Sequence, residues 1–406
     1  MSATVQRSEV AASAPVFAGR TRSGHAFEVF ERVACVGPAL WQEAFAPHWK
    51  DYRYYQTLEE TFSHEFPQRY LVLRGGAATG EPTRVRAILP LFFVEQDLTV
   101  SLSAGLRKLL SPLRRLLTLR MIMAGCIVGD AQIGIVDPAD DPAAVCAELD
   151  EALNLFAQRE RVSLVLLKDF PEKYRAALQP LTARGRYTRL PSLPAVSLPL
   201  TFGTFDEFLQ TRPGKATRKS LRRKFREVDT LAQPITLEVK TEVTLAEAVA
   251  LHALYERVAR RGDVHFEVFT ADYFLTLGQR MPDQTRYFIW RQAGRIVAFS
   301  FCTVHGEAIY DNDLGLDESA ASELHLYHVT FRDIVRWALA HGLKHYYSSP
   351  FNYDPKLRLR MELVPLDLYA RHTSPVINRA LRWFAPLAAP TRQEPLLRQF
   401  SNAERL

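Results

Sequence analysis

Between Arg286 and Ser348 the apolar pattern changes period repeatedly, and few folds accept the resulting order. Arg286–Gln292 and Arg295–Val304 flank an Ala293-Gly294 turn and read as a β-hairpin. Glu307–Asp313 is a further strand. Glu323–His341 carries a helical period and stops at Gly342, the residue type best suited to a left-handed C-cap. Lys344–Ser348 is a strand again. Hairpin, strand, helix, strand predicts a mixed, mostly antiparallel sheet flanked by helices, in the α/β (mixed α+β) class.

The first half has a similar order. Gln68–Arg74 and Thr83–Val94 are strands around a Gly-rich turn at 75–82. Ala104–Leu119 has leucines at helical spacing, interrupted by Pro112. Strand-like runs occupy Leu119–Val136, and Asp141-Pro142 opens a helix to about Arg159. Val162–Lys168 is a buried strand, and Pro171–Arg184 a helix. In the second half, Phe205–Gln210, Lys215–Val228, Thr244–Arg260 and Thr270–Arg280 are helices, and Ile235–Val239 and Glu362–Arg371 are strands. Two tandem copies of one unit are expected, joined near 185–205, where Pro191, Pro194 and Pro199 fall. The expected division is a flexible tail over 1–24, an N-terminal domain over 25–195, a C-terminal domain over 196–375, and a tail with a short helix over 376–406. The 406 residues suffice for two such domains.

Composition narrows the function classes. Hydrophobic residues at 47% and charged residues at 24% predict an ordinary globular core rather than a disordered chain. The four cysteines have the spacing of neither a zinc site nor a disulfide framework, so no metal is expected and a reducing cytoplasm suits them. The first 20 residues lack the apolar core of a secretory signal. Ala87–Val94 and Met121–Gly129 fall far short of the roughly 20 residues of a membrane span. A net charge of +6 mildly favours anionic partners.

The strongest local feature is a basic helix. Arg212, Lys215, Arg218, Lys219, Arg222, Arg223, Lys224 and Arg226 occur with no acid among them. Leu221, Phe225 and Val228 can anchor one side, while Lys215, Lys219, Arg222 and Arg226 share another face. Cations packed this way repel, so a bound anion would stabilise the helix. Asp311, Asn312 and Asp313 end a strand beside the helix that carries His325, Tyr327 and His328. An amine nucleophile has a pKa of about 10 as its ammonium, so acylating one needs a base nearby. Asp311, Asp313, His325 and His328 are candidates. Ser348, Ser349, Asn352, Tyr353 and Lys356 follow the last core strand. No Gly-x-Ser-x-Gly elbow, phosphate-binding P-loop or Cys-x-x-Cys pair is present, which points to direct attack rather than a covalent enzyme intermediate.

The order over 286–349, the basic RKSLRRKFR segment (218–226) and YDPKLRLRMELVP (353–365) resemble the GNAT superfamily of acyltransferases, in its Fem-type and BioF2-like branch. That resemblance implies two tandem GNAT-like domains and N-acyltransfer, with acyl-CoA as co-substrate in the manner of N-acetyltransferases. It also implies a ligand-binding role for Lys356 and an amine-gripping role for Glu267, which follows His265 and Phe266. One departure matters. Acetyl-CoA enzymes of the superfamily place a Gly-x-Gly turn before the long helix to hold pyrophosphate. Here the position reads Gly315-Leu-Asp-Glu-Ser-Ala-Ala-Ser322, with Asp317 and Glu318 in it. Fem-type enzymes lack that turn and use charged tRNA, so both donors stay open. The acceptor class is a small amine or a cell-wall-precursor-like molecule. Two other readings stand beside this one. The first is a nucleic-acid-binding module without catalysis. The second is a peripheral scaffold touching anionic membrane through the basic segments 104–120 and 376–400.

Overall fold

A computed structural model describes residues 14–46, 48–75, 84–97, 118–259, 268–384, 390–392 and 394–406. The expected 75–82 turn, most of the 104–119 helix and Glu267 lie outside the described residues. The chain forms two units. One comprises 1–190 and 368–385, the other 191–367 and 386–406.

The first unit is built on a nine-stranded sheet. Its strands are β1 (Phe17–Arg20), β2 (Ala26–Phe30), β3 (Gln68–Arg74), β4 (Val85–Asp97), β5 (Thr118–Ala124), β6 (Gly134–Ile135), β7 (Leu164–Pro171), β8 (Thr188–Pro191) and β16 (Leu366–His372). Its helices are α1 (Pro38–Phe45), α2 (Tyr52–Phe62), α3 (Pro142–Arg159), α4 (Arg175–Ala183) and, from the far end of the chain, α12 (Pro375–Phe384). β1 to β5 form an antiparallel run, and β7 then joins β5 in parallel. The crossover between them carries α3. Its Asp141 cap and Pro142 start it as the sequence predicts, and Val145, Leu149, Leu153 and Phe156 pack it into the core.

The second unit repeats the scheme on a seven-stranded sheet ordered β10-β11-β12-β13-β14-β9-β15. These are Ile235–Lys240, Thr285–Gln292, Arg295–His305, Ala308–Leu316, His345–Ser348, Ala195–Pro199 and Glu362–Val364. β10 to β13 are antiparallel, and β14 joins β13 in parallel. The helices are α5 (Phe205–Thr211), α6 (Lys215–Asp229), α7 (Leu245–Ala259), α8 (Ala271–Arg280), α9 (Glu318–Ala321), α10 (Leu326–Ala340) and α11 (Tyr353–Arg358). On one sheet face Phe288, Trp290, Ala298, Cys302 and Tyr346 form a core with Leu221, Phe225 and Val228 of α6 and Val329, Ile334 and Val335 of α10. On the other, Phe299 and Phe301 meet Tyr273 and Phe274 of α8. Two mixed sheets flanked by helices are therefore present, as the patterning predicts.

Five expectations change. Phe17–Arg20 is not tail: it pairs with β2 from Phe17↔Val29 to Arg20↔Ala26. The helix expected over Glu323–His341 begins only at Leu326, because His325 is left-handed (φ 49°) and separates α9 from α10. The strand expected over Glu362–Arg371 divides at Pro365, and its two pieces enter different sheets. The 185–205 join supplies two strands, β8 and β9, rather than a plain linker. Residues 376–406 likewise divide between the units instead of forming one tail.

β13 crosses the sheet closely under α7. A Cβ built on Gly315 would lie 2.2 Å from Phe299 Cε1 and 2.9 Å from Leu254 Cβ. Gly315→Ala is expected to destabilise the second unit by about 1–3 kcal/mol through overpacking. An unchanged denaturant midpoint would count against this packing.

Candidate active site

The site lies where two parallel strands part. β13 and β14 pair from Ala308↔His345 to Asp311↔Ser348, and there the ladder stops. β13 continues to Leu316 against β12 alone. β14 turns away through Ser349 into Phe351 and Asn352, both left-handed (φ 69° and 49°), and then into α11. Two consecutive non-glycine residues in that region store backbone strain. Strain of this kind needs surrounding contacts to hold it.

Lys356 supplies them. Its side chain is 4% exposed, and Nζ donates to the carbonyls of Ser349 at 2.5 Å and Phe351 at 2.9 Å. Burial lowers its pKa to about 8, with the Asp311 charge opposing the shift. Sequence reasoning placed Lys356 against a ligand anion. In the structure most of its donors hold the strained turn.

Asp311 ends the paired part of β13. Ser300 Oγ donates to its Oδ1, and Tyr346 Oη donates to its Oδ2 at 2.6 Å. Burial raises its pKa, while these hydrogen bonds and the Lys356 charge pull the other way. The result is a carboxylate with increased proton affinity at the opening of the notch. Asp313 is not beside it. A bulge leaves Asn312 without a partner, so Asp311 faces Cys302 while Asp313 faces Phe301 across β12. Cys302 and Phe301 point to opposite faces, and the expected Asp311–Asp313 pair is divided between them.

The start of α10 forms the second wall. Tyr327 feels both burial and the Asp311 charge, which raise its pKa. His328 is held neutral, its pKa lowered to about 4 by burial first and then by Lys224 and His325. Its Nδ1 has no hydrogen-bond partner among the described residues. His325 does not share this environment. Its Nε2 lies 2.8 Å from Glu227 Oε2, and Glu227 also takes Arg223 at 2.6 Å. His325 thus ties α10 to the basic helix, as Arg332 does through Asp229 at 3.0 Å.

The basic helix α6 has the predicted faces. Leu221, Phe225 and Val228 are buried, and Lys215, Lys219, Arg222 and Arg226 are exposed. Arg218 is different, because it donates to Gln210 O and caps α5. Lys224 turns toward the site. Burial and the like charges of Arg223 and Arg358 depress its pKa. Two further candidates are elsewhere. Tyr353 is core: its hydroxyl donates to Pro194 O at 2.7 Å and its ring meets Phe400. Ser349 is exposed, and its carbonyl serves Lys356. Ser300, Tyr346 and Arg358 were not singled out from sequence, and Lys224 was named only among the cations of the basic helix. Ser300 had one signal, a hydroxyl inside the apolar run RIVAFSFCTV.

Asp317 is already engaged. It caps α9 by accepting from the Ser319 amide at 3.1 Å, and it pairs with Arg295 at 3.0 Å. A carboxylate therefore stands where a pyrophosphate turn would be. In the first unit the corresponding notch, past Ala124↔Leu167, is filled by its own chain. The Ala131 amide donates to Asp169 O at 2.9 Å, and Lys50 Nζ donates to Val128 O at 2.9 Å and Asp130 O at 2.6 Å. A Cβ on Gly125 would meet Ala131 Cβ at 2.6 Å, so the plug is tight. Among the described residues no cluster of His, Cys, Asp or Glu could hold a metal ion.

The profile of the acetyltransferase (GNAT) domain family matches residues 215–354, the span from the basic helix through the notch. No curated protein matches the chain. Among solved structures the chain is similar to FemX at 12% identity, with 81% of this chain and 93% of that one covered and a TM-score of 0.49. It is similar to L-PGS from Bacillus licheniformis at 12% identity, covering 80% and 94%, with a TM-score of 0.46. A tandem GNAT protein from the clavulanic acid biosynthesis pathway matches at 12% identity, covering 86% and 99%, with a TM-score of 0.48. The matched span holds the notch of the second unit, so that unit carries a domain of the acetyltransferase (GNAT) family.

Proposed function

We propose that the notch of the second unit transfers an acyl or aminoacyl group from a phosphate-bearing carrier to an amine. The observation that carries this reading is Asp311, a carboxylate of raised proton affinity held by Ser300 and Tyr346 at the point where β13 and β14 part. The acyl carbonyl lies in the gap between the strands, where a backbone N–H group can polarise it. The amine gives up a proton to Asp311 and its lone pair attacks the carbonyl carbon. A C–N bond forms, the bond from carbonyl carbon to carrier breaks, and the departing carrier atom takes up the second proton that the nitrogen sheds. No protein nucleophile is needed, which fits a sequence without a Gly-x-Ser-x-Gly elbow or a Cys-x-x-Cys pair.

The carrier class follows from charge. Lys224 and Arg358 stand near the site, and Lys215, Lys219, Arg222 and Arg226 run along the exposed side of α6. From Lys215 to Arg226 the helix rises by about 16 Å, longer than one pyrophosphate. Both acyl-CoA and charged tRNA present phosphate to such a stripe. Purified protein offered each donor with a panel of amines should give an amide by mass spectrometry with one of them. No amide from either donor would end the proposal.

The stripe gives a separate prediction. Replacing Lys215, Lys219, Arg222 and Arg226 together by glutamine should raise KM for the donor about tenfold or more at low salt, with kcat little changed. Steady-state kinetics across a salt series checks this. The parent should lose its advantage as salt rises, and thermal unfolding should be nearly unaffected because all four side chains are exposed.

A further inference from the structure

Helix α12 is amphipathic, and it is docked the wrong way round for a core helix. Its polar side faces the protein. Asn378 is 9% exposed; its Nδ2 donates to Arg186 O at 3.1 Å, and its Oδ1 accepts from the His372 amide at 3.0 Å. Arg382 donates to Gly185 O. The apolar side faces outward, with Val376 at 79%, Ile377 at 50% and Trp383 at 77% exposure. At 100° per residue Val376, Ile377, Ala380 and Trp383 fall on one continuous face. A surface helix with that orientation leaves large side chains in water unless something covers them.

We propose that this face lies in the plane of an anionic lipid surface. Charge selects that occupant. Arg379 borders the apolar face, exposed Arg184 stands in the turn that α12 docks on, and no Asp or Glu occurs between Asp367 and Glu394. A single-sign basic rim around an aliphatic and tryptophan face matches the boundary between headgroups and acyl chains. At ten residues the helix is about 15 Å long, enough to lie in that boundary and too short to cross it. Among the described residues no helix is long and apolar enough to cross a membrane. The contact is thus in-plane and reversible, independent of the proposed chemistry of the notch.

The test is co-sedimentation of the full chain with vesicles of phosphatidylcholine alone or mixed with phosphatidylglycerol. The protein should pellet with the mixed vesicles, less so as salt rises, and weakly with phosphatidylcholine alone. The triple variant Val376→Ser, Ile377→Ser, Trp383→Ser should lose about tenfold or more of its partitioning, with its circular dichroism unchanged. Arg379→Glu should weaken binding to mixed vesicles only. Failure of the parent to pellet with either vesicle, or full retention by the triple variant, overturns the proposal. So does a lipid-free dimer that the triple variant abolishes, which would assign the face to a second copy of the chain.

Discussion

Asp311→Asn should lower kcat by about 10²–10⁴-fold, the usual range for removing a positioned proton acceptor. KM should change far less, since the side chain keeps its shape and an oxygen for Tyr346 or Ser300. Stability should not fall with activity. The folded pKa of Asp311 lies above its unfolded value. Between those two values the folded protein binds more protons than the unfolded chain, so stability decreases as pH rises through that window. At neutral pH the carboxylate is therefore a cost, and the amide variant should melt no lower than the parent. Retained kcat with an unchanged midpoint would remove Asp311 from the mechanism.

Lys356→Met should damage both properties. The carbonyls of Ser349 and Phe351 lose their donor, which costs about 2–4 kcal/mol together, and the strained Phe351-Asn352 turn loses its clamp. Asp311 also loses a favourable neighbouring charge, so its proton affinity climbs further and kcat/KM should drop by about 10²-fold. The pH profile separates Lys356 from a purely structural lysine. Its folded pKa is depressed from 10.5 to about 8. Between those values the folded protein sheds this proton first, and the cost of burying the ammonium is progressively relieved. Stability from this group therefore rises with pH across that window. Activity should go the other way, with an alkaline limb in kcat/KM near pH 8 as the clamp loses its charge. Lys356→Arg keeps the charge and should move that limb upward. An identical profile in the parent and the arginine variant would rule out this role.

Much of the fold was legible because local pattern and tertiary demand agreed. Gln68–Arg74 holds the continuous apolar run Tyr70–Leu73, and it is a strand over those residues. Leu221, Phe225 and Val228 recur at helical spacing, and they are the three buried residues of α6. The site was less legible because its decisive features are non-local. Asp311 and Asp313 read as one pair in a regular strand, but the bulge at Asn312 separates them. No sequence period announces a bulge. Lys356 was found, yet its work on the Ser349–Phe351 carbonyls depends on a turn whose geometry the sequence does not display. Ser300 and Tyr346 sit in apolar strands and become polar partners only when β12, β13 and β14 lie side by side. The late start of the long helix, after His325, was hidden for a similar reason: α6 supplies the Glu227 that holds His325.

The path of the chain through the two sheets has a consequence for biosynthesis. Leu366–His372 is the neighbour of both Leu164–Pro171 and Thr188–Pro191, so the first sheet has an open seam until that segment is made. A ribosome must therefore make residues 191–367, most of the second unit, before the unit that precedes it can close. Until then the first sheet presents unpaired strand edges, the state most exposed to misassociation. Cutting the chain near residue 190 should not release an independent N-terminal module. The two halves are separate as cores, but as products of translation they mature together.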